Sequence, residues 1–191
     1  MLVTKPYQRE RAVEYAKKWA LSRNPLFADF SEIGGNCTNF ASQCVLAGSC
    51  VMNYTQDFGW YYVSLEDRAP AWTGVDYFYD FMTMAPSFAS RNGGIGPFAS
   101  VVDAEAAEAG DVVQLQNSRG AWYHSLVVTG RQGNEILVSA QTNDALDRPL
   151  SSYNYASARF LHIEGVRLDL NDDRCYRILL AGGEDPAQPQ N

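Results

Sequence analysis

Residues 34–48, GGNCTNFASQCVLAG, constrain this chain more than any other stretch. Gly34 and Gly35 permit a sharp turn and a close approach of backbone to a ligand. Asn36 suits a helix N-cap. Phe40, Ala41, Cys44 and Val45 then recur at helical spacing, with Gly48 as a natural stop. The spacing predicts a short buried helix with Cys37 in its first turn. Unpaired N–H groups and the dipole at a helix start favour an anion. A thiol placed there, behind a glycine loop, is poised as a nucleophile.

The rest of the chain supplies helices first and strands afterwards. Residues 7–21 carry Ala12, Val13, Tyr15, Ala16 and Trp19 as an apolar stripe opposite a charged face, a helix broken by Asn24-Pro25. Residues 51–72 read as a loop rich in aromatics, among them Trp60 and Trp72, which either line a substrate groove or anchor the loop in the core. Thr73 can cap a helix over 75–84, which Pro86 ends. Residues 92–97 read as a loop and 104–109 as a short helix or turn. Strands are expected at 112–116, 122–129, 135–142, 160–168 and 175–180, with Gly133-Asn134 as a hairpin turn and 143–149 as a polar loop. The order predicts an α+β fold, N-terminal helices packed on an antiparallel sheet. One domain over 1–183 and a disordered tail over 184–191 complete the expectation.

Composition narrows the chemistry. The formal net charge is −7, which argues against nucleic acid or an anionic membrane surface as a partner. No apolar run is long enough to insert in a membrane, and residues 1–18 are polar rather than leader-like. The compartment is therefore open between cytoplasm and a domain of a longer secreted protein. The four cysteines match no zinc spacing, and with only two histidines the chain offers no metal set, so no metal or cofactor is expected. Cys44 and Cys50 read as packing residues.

A first-turn thiol needs a base from another element. His124 begins a strand and shares its face with Leu126 and Val128. His162 lies inside a strand with no reactive neighbour in sequence and ranks second. The imidazole in turn needs an acceptor that fixes its tautomer. Across a hairpin centred on Gln132-Gly133, His124 faces Gln141; across one centred on Gly133-Asn134, it faces Asn143.

These same residues carry a resemblance. GGNCTNFASQC, Gly110-Asp111 before a strand, the His124 strand, and Ala140-Gln141-Thr142-Asn143-Asp144 followed by Arg148-Pro149-Leu150 resemble the bacterial putative amidase domain family. That family is related to the papain-like CHAP and NlpC/P60 cysteine amidases and peptidases. The likeness runs from about Tyr7 to beyond Leu150, and Asn36 and Gln141 depart from what looks like the family's usual acidic residue and histidine. It implies a papain-like fold, Cys37 as nucleophile, His124 as base and a third polar residue on the next strand. The Cys37 backbone N–H, helped by the Asn36 side chain, would hold the oxyanion. The implied substrate is an amide in a peptide or in peptidoglycan. Two other readings stay open: a thiol acyltransferase of transglutaminase type, and a catalytically silent binding module that keeps the fold.

Overall fold

The structure is a computed structural model that describes residues 2–168 and 174–183. Among the described residues, six α-helices and one seven-stranded antiparallel sheet make an α+β fold. The helices are α1 (Arg9–Trp19), α2 (Cys37–Ser49), α3 (Pro70–Thr73), α4 (Val75–Met82), α5 (Pro86–Asn92) and α6 (Arg174–Ala181). The strands are β1 (Thr4–Lys5), β2 (Gly96–Val102), β3 (Val112–Gln116), β4 (Trp122–Gln132), β5 (Glu135–Ala140), β6 (Ala145–Pro149) and β7 (Ser157–Arg167). The sheet runs β1-β7-β3-β4-β5-β6, and β2 also pairs with β7.

Helix α2 is the centre of the first core. Every one of its residues is buried, because small side chains at Ala41, Ser42, Ala47 and Gly48 let neighbours come close. Gly48 does not stop the helix as expected. A Cβ there would lie 2.3 Å from the Tyr7 ring, so the position is kept bare by close packing, and the chain leaves the helix at Cys50, in the left-handed region. Around α2 gather Tyr15 of α1, Phe78 and Met82 of α4, and the sheet residues Val112, Val127, Leu161 and Ile163. On the other side of the sheet Val113, Leu115, Leu126, Val128, Ile136 and Val138 form a second core, closed by Leu150 and Tyr153.

Several elements differ from expectation. Pro86 opens α5 instead of ending a helix, since proline fits the first helical turn where no N–H is needed. Gly74, not Thr73, precedes α4. Strands β2 and β6 form where Gly96-Pro97 and Asp147-Arg148-Pro149 read as loop; both proline-bearing strands pair along only one side. Residues 175–180 form α6, not a strand. A short apolar run cannot tell the two apart by periodicity, and here Tyr176 and Leu179 fall on one helical face, with the Arg11 guanidinium 4.8 Å from the Tyr176 ring and the Leu179 carbonyl accepting from Asn24 at 2.7 Å. Residues 184–191 lie outside the described residues. Among the described residues, no helix is long and apolar enough to cross a membrane.

Candidate active site

The site begins at the glycine loop. Gly34 and Gly35 have φ of +118° and +105°, conformations that glycine alone adopts without strain. They lay the loop on Thr142, 3.6 Å from where a Gly35 Cβ would stand. The Asn36 N–H donates to Thr142 Oγ1, and the Asn36 side-chain amide donates to Gln141 Oε1. The first helical bond is Phe40 N–H to Asn36 O at 2.9 Å. The amides of Cys37, Thr38 and Asn39 therefore precede it, and these are the open donors of a helix start. Cys37 is the first residue of α2 and is 8% exposed.

The polar residues behind Cys37 are pins that seat the buried helix. Thr38 Oγ1 lies 3.0 Å from Ser125 Oγ on β4. Asn39 accepts from Trp72 Nε1 at 2.8 Å, Ser42 accepts from Trp60 Nε1 at 3.0 Å, and Gln43 accepts from the Tyr15 hydroxyl at 2.8 Å. This corrects the expectation for Trp60 and Trp72. Both rings are fully buried, 5.0 Å apart, beneath α2. They support the helix and line no groove.

Asn36 is also corrected as an oxyanion donor. Its Oδ1 accepts from the Phe30 N–H at 3.0 Å and from Asn39 Nδ2 at 2.8 Å, and its amide is held by Gln141. The residue is 1% exposed, so its side chain shapes the loop and faces no substrate.

His124 is the third residue of β4, at a β-bulge where the β3 register shifts between Leu115 and Gln116. Its ring stacks on Tyr123, 6.0 Å between centroids at 18°, and lies 6.0 Å from the Tyr153 ring. Burial, and then the positive charge of Arg148, push the imidazole down to about 4, so it is neutral at pH 7. The Thr38–Ser125 bond puts the start of α2 against β4 one residue from His124. No hydrogen bond joins Cys37 to His124; the sulfur lies 3.8 Å from Thr38 Oγ1.

Neither expected orienter bonds to His124. The hairpin does turn at Gly133-Asn134, with Gln132 opposite Glu135. A bulge between Val128 and Gly130 then shifts the register, so Val127 faces Ser139. Counting on, Ser125 falls opposite Gln141 and His124 opposite Thr142. Gln141 thus turns to the α2 side, where its amide donates to the carbonyls of Trp19 and Ser22, both at 2.7 Å. Asn143 sits beyond the end of β5 in a left-handed turn, at φ 65°. Thr38, Ser125 and Thr142 are the residues that sequence reasoning missed. The Thr-Asn next to Cys37 and the serine next to His124 were the available signal.

His162 is part of a separate clamp. Its Nδ1 is 2.9 Å from Asp111 Oδ2, and Arg9 reaches Asp111 Oδ1 at 2.5 Å. Asp111 is wholly buried and also accepts from the N–H groups of Glu108 and Ile163.

A cavity of about 220 Å³ adjoins the His124 end, lined by Asn117, Ser118, Tyr123, Asn154, Tyr155 and Ala156. A cavity of about 660 Å³ lies beside Leu46 and Cys50 at the far end of α2. That end is roughly 20 Å from Cys37 by helix rise.

Sequence comparison places the family. The chain matches the putative amidase domain family over residues 6–163, and it belongs to that family. It is 32% identical over 143 residues to a Bacillus subtilis (strain 168) protein described as "Uncharacterized protein YhbB", covering 73% of this chain and 42% of that protein. The chain thus spans less than half the length of that relative. No solved structure matches.

Proposed function

We propose that this domain is a cysteine-dependent amide hydrolase of papain-like fold, acting on amide bonds of peptides or peptidoglycan. The observation that carries it is Cys37 as first residue of a buried helix, behind a glycine loop that is itself bonded to the β5 end. Family membership gives the amidase class; the residue roles are our reading. Cys37 Sγ attacks the amide carbonyl as neutral His124 takes its proton, and the amides of the first turn of α2 receive the developing oxyanion. His124 then gives the proton to the leaving amine and activates water against the thioester. The imidazole must come within hydrogen-bond reach of the thiol. The His124 side chain makes no hydrogen bond among the described residues, but it packs between Tyr123 and Tyr153 on the sheet face it shares with Leu126 and Val128, so the mechanism requires the ring to turn toward the thiol when substrate binds.

The test is digestion of purified peptidoglycan and of acyl-peptide libraries, read by mass spectrometry. Paired amine and carboxylate products, lost in Cys37→Ala, support the reading. Products unchanged in Cys37→Ala overturn it. Capture of the acyl group by an added amine in preference to water would make the enzyme an acyltransferase. Full-length substrate bound without turnover would make it a binding module.

A further inference from the structure

Tyr153 presents a hydroxyl that the fold buries and leaves without a hydrogen-bond partner. A buried hydroxyl left unpaired is destabilising and calls for an explanation. Its ring is 6.0 Å from that of His124, tilted at 48°. The imidazole likewise makes no hydrogen bond, although a ring nitrogen acting as base needs its partner nitrogen held. We propose that Tyr153 is the positioning residue of this site, its hydroxyl taking the imidazole N–H of His124 so that the other ring nitrogen is bare toward Cys37. The proposal rests on the amide hydrolase reading for its catalytic consequence, and it supplies the third group that Gln141 and Asn143 do not.

The surroundings fix Tyr153 for this task. Arg148 lies over its ring, 4.1 Å from the guanidinium carbon to the centroid, and spends Nε and Nη2 on the Ser152 hydroxyl and carbonyl. The cation sits on the ring face and is also near enough to the phenol oxygen to favour its ionised form, against the larger upward push of burial. The Tyr123 hydroxyl donates to the Asn154 carbonyl at 3.1 Å, tying the segment after Tyr153 to the start of β4. His124 is thus held between two tyrosines, with Arg148 the charged group beyond. Arg148 also disfavours the imidazolium, which keeps His124 a neutral base with one N–H to give.

Tyr153→Phe isolates the hydroxyl, because the ring and its Arg148 contact remain. With only His124 and His162 in the chain, ¹⁵N-labelled imidazoles can be assigned with a His162→Gln variant. The wild type should show one fixed His124 tautomer, and Tyr153→Phe should show a mixture. On a cleaved amide, kcat should fall about tenfold, the equivalent of one neutral hydrogen bond, with KM within twofold. An unchanged tautomer in Tyr153→Phe overturns the proposal, whether or not kcat or thermal stability falls. A changed tautomer in a protein that cleaves no amide leaves the Tyr153–His124 bond standing and removes the hydrolase reading instead.

Discussion

His124 and Gln141 show how environment assigns work to single residues. Burial and Arg148 hold the His124 imidazole near 4, against 6.5 for the free side chain. Between those values the unfolded chain binds the extra proton and the folded one does not. Stability from this group is therefore full above about pH 6.5, declines as the pH falls toward 4, and changes no further below that. In the proposed mechanism the same neutrality sets the rate. The acid limb of kcat/KM on a fluorogenic amide should lie near pH 4, and a limb at 6 to 7 would contradict the neutral-base assignment. Gln141 has all its polar atoms committed to Asn36, Trp19 and Ser22. Gln141→Ala should cost about 1–3 kcal/mol of stability by urea titration, because it leaves buried partners unpaired. A loss of kcat with an unchanged urea midpoint would return Gln141 to the catalytic group. Its position was legible in the sequence as a polar residue on the strand after the histidine. Its partners were not, since they come from α1 and the glycine loop.

At the scale of elements, the buried helix α2 was readable because apolar spacing, a glycine loop and an N-cap residue agree. Its pins were not readable, since Trp60 comes from a loop and Trp72 from α3, four residues long and too short to show periodicity. The tryptophan assignment is testable: Trp72→Ala should destabilise by roughly 3–5 kcal/mol, as a large core truncation does. A change confined to KM would make it a groove residue. The β4–β5 hairpin carries a sharper lesson. Its turn falls at Gly133-Asn134, one of the two centres the sequence left open, yet one bulge near Thr129 moved every later pair by one residue and so to the opposite face. The one local sign of that bulge is Gly130, an isolated glycine within the strand. The Thr129 hydroxyl bonds Asp147 on β6 at 2.6 Å, a contact visible only once three strands are assembled.

Across the whole molecule, the alternation of strand residues and the order of helices before strands gave the α+β layout, whereas the proline-bearing strands and α6 were hidden by composition. The clamp of Arg9, Asp111 and His162 holds the layers together, joining α1 to the turn before β3 and to β7. Asp111→Ala should cost about 3–5 kcal/mol, since it strips a buried carboxylate from its partners. A urea midpoint unchanged by that substitution would contradict this role. His162 thus has structural work, in keeping with the proposal that His124 is the base. The central claim is that Cys37 carries the acyl group between the two halves of the reaction. The direct measurement is mass spectrometry of enzyme quenched during turnover of a peptide amide, followed by mapping of the adduct. The account predicts an acyl mass on the peptide that contains Cys37, absent in Cys37→Ala together with all turnover. Turnover that persists in Cys37→Ala, with no acyl mass at that position in the wild type, would contradict it.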